Sequence, residues 1–138
     1  MIQIKEIQKR LKPLFEKEKS ILFAYVFGSV AQERAHDESD IDLAFYLNTD
    51  RVKDTFKKRV LLIEEAQALL NKTVEIVILN EVSSIFFKFV VIKEGKIFFE
   101  RAHDQRVDFE LATMQEYYDY QPFLENYNKA YLERSKRD

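Results

Sequence analysis

The longest uncharged apolar run in the chain is Ile21 to Phe27, seven residues. A membrane-crossing helix needs about 20 apolar residues, so this run reads as a short buried strand, ended by Gly28. Ile41–Leu47 predicts a second strand, Thr73–Leu79 a third and Lys96–Glu100 a last short one. Helical spacing separates the later strands. Asp50 is placed to cap a helix carrying Val52, Phe56, Val60, Ile63 and Leu70 on one face and stopping near Asn71. Ser83 or Ser84 caps a shorter helix through Ile92, with Gly95 letting the chain turn out of it. Ahead of the first strand, Ile4, Ile7, Leu11, Leu14 and Phe15 recur at helical spacing, and Pro13 predicts a kink or a restart there. Ala102 to Arg137 is helical and aromatic. The pattern predicts an α/β or α+β fold, a sheet with helices packed on it.

Composition narrows the chemistry. The 138 residues contain no cysteine, which excludes disulfides, thiol nucleophiles and cysteine-ligated metals. Net charge is −2, so nothing in bulk charge points to nucleic acid or an anionic membrane. Met1 to Arg10 carries Lys5, Glu6, Lys9 and Arg10 and lacks the apolar stretch of a signal peptide, so a cytoplasmic protein is expected. Only two glycines occur, Gly28 and Gly95, and their separation rules out the G-x-G-x-x-G and G-x-x-x-x-G-K phosphate loops. No repeat or Pro/Gly/Ser-rich linker interrupts the chain, and residues 1–138 are expected to form a single domain.

One constellation is specific. Phe27-Gly28-Ser29 is followed after ten residues by Asp40-Ile41-Asp42. Acids at i and i+2 of a strand share a face, with Cα atoms about 6.5 to 7 Å apart. Side by side they repel and lose hydration, so a cation belongs between them, and a hard divalent ion such as Mg²⁺ suits carboxylates, water and phosphates. The plainer reading is an exposed acidic turn, extended by Asp37 and Glu38. Gly28 and Ser29 favour the first, because a sharp turn with open N–H groups and a hydroxyl can hold phosphate oxygens. Ser39 can reach a phosphate or cap the turn. Glu75 is the lone acid in Val74–Ile78, a costly place for a carboxylate unless it meets a cation or faces solvent. If the third strand lies beside the second, Glu75 joins Asp40 and Asp42 as a metal ligand or as a base.

The string FGSVAQERAHDESDIDLAFYL resembles the G-S-x₁₀-D-x-D signature of the DNA polymerase beta type nucleotidyltransferases, specifically the minimal nucleotidyltransferases (MNT). KTVEIVIL resembles their third-carboxylate strand and VVIKEGKIFFER their helix-turn-strand exit, so the likeness runs from about Ile21 to Arg101. It implies the nucleotidyltransferase fold, a small mixed sheet flanked by helices, with a core over about residues 1–101 and a long C-terminal helical extension over about 102–138. It also implies transfer of AMP from ATP to a hydroxyl with release of pyrophosphate. Asp40, Asp42 and Glu75 would be the catalytic residues and would hold Mg²⁺, two ions in this family. Gly28, Ser29, Arg34 and Ser39 would bind the nucleotide. Relatives often read GS-R-A-R-G, whereas this chain has Val30, Ala31, Gln32 and Glu33, with Arg34 a substitute for one arginine. His36 lies in the same loop, and His103 opens the last helix.

Members of this family are commonly encoded beside a HEPN-domain protein and act with it as antitoxin and toxin. The resemblance therefore implies a HEPN toxin partner, RNA-cutting in such pairs, with one of its hydroxyls, a tyrosine, as acceptor. It implies neither direct nucleic-acid binding nor membrane attachment. Tyr117, Tyr120, Leu124, Tyr127 and Tyr131 form one stripe of the last helix, suited to core packing or to an interface. Two other readings remain open: an antitoxin that neutralises by binding alone, and a nucleotidyltransferase for small molecules of the aminoglycoside type.

Overall fold

The computed structural model describes residues 2–32 and 40–137, with side chains through Pro122. Strands β1 (Ile21–Phe27), β2 (Ile41–Leu47), β3 (Val74–Ile78) and β4 (Lys96–Glu100) form one mixed sheet in the order β3-β2-β1-β4. β1 runs antiparallel to β2 and β4, and β2 and β3 are parallel. Helices α1 (Ile4–Arg10) and α2 (Lys12–Lys17) precede β1, and the short α3 (Gly28–Ala31) follows it. Helix α4 (Thr55–Leu70) crosses from β2 to β3, α5 (Ile85–Glu94) leads to β4, and α6 (His103–Arg137) ends the chain. The α+β class, the mixed sheet flanked by helices and the long last helix are as expected from the sequence. Among the described residues, no helix is long and apolar enough to cross a membrane.

The continuous apolar runs are explained by burial of the sheet on both faces. Ile41, Leu43, Phe45 and Leu47 point into one core with Ile7, Leu11, Leu14, Leu62 and Leu70 of α1, α2 and α4. Phe23, Tyr25 and Ala44 point the other way, toward Val91 of α5 and Phe109 of α6. Pro13 restarts the helix: it stands in the first turn of α2, where no intrahelical N–H bond is lost. The four-residue α3 was not foreseen.

The cap and part of the buried face of α4 differ from expectation. Asp50 lies in a short 3₁₀ turn, its N–H donating to Asn48 Oδ1, and Asp54 caps α4 by accepting from Lys57 N at 3.1 Å. Of the expected face, Leu70 is buried and Val52 and Ile63 pack against the core, but Phe56 is 70% exposed and Val60 is exposed too, and Leu62 and Ala66 are buried in their place. Two polar bonds fix this rotation. Arg59 Nε donates to Ile76 O at 2.6 Å, and Gln67 Oε1 accepts from Val74 N at 3.1 Å, so the side of α4 bearing Arg59, Ala66 and Leu70 faces β3. Asn71 ends the helix in the left-handed region at φ 53°. Ser84, not Ser83, caps α5 by accepting from Phe87 N. Gly95 ends that helix with extended backbone (φ −74°, ψ 168°), so the glycine is needed for space: a Cβ there would overlap Val91 O.

A polar cluster fastens α6 to the sheet. Tyr25, 1% exposed on β1, donates through its hydroxyl to Glu110 Oε1 at 2.5 Å. Arg106 bridges Glu110 and Glu100, and His103 Nδ1 meets Glu100 at 2.8 Å. Burial, then the hydrogen bond to Glu110, push the Tyr25 phenol well above its ordinary range, so it remains a donor. Further along, Tyr117 stacks on Phe89 of α5 at 3.7 Å, while Tyr120 is 51% exposed. The side chains of Leu124, Tyr127 and Tyr131 lie outside the described residues. Replacing Tyr25 by Phe keeps the ring and removes one buried bond, so urea unfolding should show a loss of about 1 to 2 kcal/mol. An unchanged midpoint would mean that α6 does not depend on this bond.

Candidate active site

Register brings the site together. β2 and β3 pair in parallel with Asp42 opposite Glu75, and β1 pairs with β2 with Phe27 opposite Asp42. Gly28, the residue after Phe27, therefore reaches the same end of the sheet. Asp40 immediately precedes β2. Asp42 and Glu75 alternate with residues of the α1/α2/α4 core, so both belong to the opposite face, which also carries Ala44 and Tyr46. Phe27 closes the end of β1 by an edge contact with Phe87 of α5, centroids 5.7 Å apart.

Gly28 is fixed by two demands at once. Its φ is +72°, a conformation that side chains disfavour, and a Cβ there would overlap Asp42 Oδ2. Its backbone thus lies directly against the Asp42 carboxylate. Gly28 and Ser29 open α3, where backbone N–H groups have no intrahelical partner. The next residues turn inward: Val30 and Ala31 are buried, and Gln32 Nε2 donates to Glu94 at 2.9 Å. Positions where relatives often carry arginines are here occupied by packing and by a tie to α5. Arg34, Ser39 and His36 lie outside the described residues. His103 belongs to the Glu100 cluster at the start of α6.

The electrostatics are those of crowded acids. Burial raises the Asp42 carboxyl above the usual carboxylate range, and the charges of Glu75 and then Asp40 raise it further. Asp42 is half-buried, while Asp40 and Glu75 are exposed. Among the described residues, no three Asp, Glu or His side chains stand close enough to enclose a metal ion. The donor set nevertheless suits one: hard oxygen ligands whose mutual repulsion a divalent cation would relieve. Closing on it would require exposed Asp40 and Glu75 to turn toward Asp42. What sequence reasoning missed is the packing of Gly28 on Asp42 and of Phe27 on Phe87. The long interval between the Gly-Ser and Asp-x-Asp elements gives no sign of the first contact.

The sequence profile described as polymerase beta nucleotidyltransferase matches residues 9–104, a span that includes Gly28, Asp40, Asp42 and Glu75. No curated protein matches the chain. Among solved structures, the chain is similar to one from a toxin–antitoxin crystal structure with AMP-PNP, at 22% identity and TM-score 0.75, covering 91% of this chain and 98% of that one. It is similar also to a chain from the complex of tri-AMPylated Shewanella oneidensis HEPN toxin with MNT antitoxin, at 18% identity and TM-score 0.72, covering 94% and 99%. A third similar chain comes from the toxin–antitoxin MntA-HepT, at 21% identity and TM-score 0.70, covering 94% and 99%.

Two substitutions test the geometry. Gly28→Ala forces both φ and the Asp42 contact, and calorimetry should show a loss of about 1 to 3 kcal/mol. A variant as stable as the parent would contradict the close approach. Asp42→Asn should have the opposite sign. The raised pKa means that the Asp42 charge is a cost present above the folded pKa and relieved as pH falls through it. In metal-free buffer at pH 7 the asparagine variant should therefore melt at or above the parent temperature, and a clearly lower melting temperature would refute the repulsion.

Proposed function

Because the chain belongs to the polymerase beta nucleotidyltransferase family, we propose that it is an antitoxin enzyme that transfers AMP from ATP to a tyrosine hydroxyl of a partner HEPN toxin. The observation that carries this reading is the placement of Asp42 between Glu75 across the β2/β3 ladder and the Gly28 backbone, within the matched span. Two of the similar solved structures support it, one a toxin–antitoxin with AMP-PNP and one a complex with a tri-AMPylated HEPN toxin.

In the reaction, the acceptor oxygen attacks the α-phosphorus, the bond from that phosphorus to the β-phosphate bridge oxygen breaks, and pyrophosphate leaves. Asp40 and Asp42, joined by Glu75, would hold Mg²⁺, which when bound neutralises charge on the phosphates. Gly28 and Ser29 would grip the triphosphate through N–H groups and the Ser29 hydroxyl, while Gly28, lacking a Cβ, leaves room for the Asp42 carboxylate beside that grip. Arg34 and Ser39 would add contacts to the nucleotide, as the family resemblance implies. Glu75, exposed at the rim, lies toward the acceptor and can take the hydroxyl proton.

One observation favours binding alone as a second reading: Val30 is buried and Gln32 is tied to Glu94 where relatives often carry arginines, so nucleotide hold rests on few groups. The two separate cleanly. Incubation with ATP, Mg²⁺ and the HEPN-domain protein encoded beside this chain should add one or more AMP units to that protein by intact mass spectrometry. The Asp40→Asn, Asp42→Asn double variant should add none and fail to neutralise. No mass gain with the parent overturns the proposal, and full neutralisation by the double variant assigns the protection to contact.

A further inference from the structure

On the far flank of the sheet from Asp42, α1, α2 and β4 enclose a cleft of about 710 Å³. Lys5, Lys9, Lys12 and Lys19 line it from the helices, and Ile97 and Phe99 from the strand. Lys5, Lys9 and Lys12 follow i, i+4, i+7 spacing, which places them on one stripe, and Leu11 between the two helices keeps right-handed helical geometry (φ −88°, ψ 0°). Lys19, in the turn after α2, adds a fourth cation to the lining. All four lysines are exposed, and none has a carboxylate partner among the described residues, unlike Lys17 with Glu65 and Lys58 with Glu18.

The remaining charges of the lining do not cancel this row. Glu100 is engaged by Arg106 and His103, which leaves Glu16 as the one uncommitted acid of the lining. Arg101 is spent on the carbonyls of Phe15, Glu18 and Ile21 and lies over the Phe99 ring at 5.0 Å. Ile97 is 37% exposed, so the strand side of the cleft offers accessible apolar surface. The net charge of −2 averages over a molecule that gathers cations here and acids at Asp40, Asp42 and Glu75 on the other face.

We infer that this cleft binds a single strand of nucleic acid, its phosphates along the lysine row and its bases against the apolar strand side. Phe99 is stacked on Phe15 at 4.0 Å and covered by Arg101 on its ring, so the accessible apolar surface is that of Ile97, beside a row of point cations that suits a run of phosphates. A mononucleotide would leave most of the row unused. An acidic peptide would gain only about 0 to 1 kcal/mol per exposed ion pair, whereas each neutralised phosphate also releases a condensed counterion.

The test is fluorescence anisotropy of a labelled oligouridine of about 12 nucleotides with the full chain. Binding at about 50 mM salt should weaken with a log–log salt slope of about −2 to −3, from three or four phosphate contacts. Replacing Lys9 and Lys12 together by alanine should weaken binding roughly tenfold and reduce the slope by about 1.4, with an unchanged circular dichroism spectrum because both side chains are exposed. Asp42→Asn should bind as the parent does, which keeps this result independent of the transferase activity. Absence of binding, binding indifferent to the lysine replacements, displacement by equimolar ATP, or tighter binding of a polyglutamate peptide of equal length would each overturn the inference.

Discussion

The structure is organised around a repulsion. Pairing β2 with β3 sets Asp42 beside Glu75, and Asp40 adds a third negative charge at the same end of the sheet. Nothing in packing alone favours this arrangement, since half-burying Asp42 next to like charge opposes folding. A fold that holds such a set must stabilise it from elsewhere, and this one does so with apolar layers on both faces of the sheet.

Those layers also fix the geometry of the site. The α4 crossover sets the β3 register through Leu62, Ala66 and Leu70, and its Arg59 and Gln67 tie to the β3 backbone. Gly28 can lie on the Asp42 carboxylate only because β1 is held on one side by β2 and closed at its end by Phe27 on Phe87. A family member with arginines after its Gly-Ser turn could grip phosphate with side chains. Here Val30 is buried in the core and Gln32 is tied to Glu94, so under the proposed function the phosphate grip would fall to backbone N–H groups and to a cation held by the carboxylates.

β1 and β2 were legible in the sequence because runs buried on both faces leave a near-continuous apolar signal, and β3 and β4 because short β-branched or aromatic runs stand between turn residues. The same was true of the pairing of Gly-Ser with Asp-x-Asp and of the lone acid Glu75. The rotation of α4 was legible in part: Leu70 is buried and Ile63 packs on the core as the spacing predicts, but Phe56 and Val60 face outward and Leu62 and Ala66 inward, because Arg59 and Gln67 bond to a strand that spacing does not locate. Asp50 and Asp54 are equally good caps on paper, and an Asn48-stabilised 3₁₀ turn occupies the first. Net charge concealed the lysine row, since a sum over the chain carries no information on segregation. The contact between Gly28 and Asp42 is tertiary and has no local signature.

The central claim is that the crowded carboxylates are a divalent-metal site awaiting charge compensation. Calorimetric melting with increasing Mn²⁺, in the presence of a non-hydrolysable ATP analogue, tests it most directly, because a ligand that binds only the folded state raises its stability with the logarithm of its concentration above Kd. The account predicts a concentration-dependent rise for the parent chain and none for Asp42→Asn. An equal rise in both, or none in the parent, would contradict it.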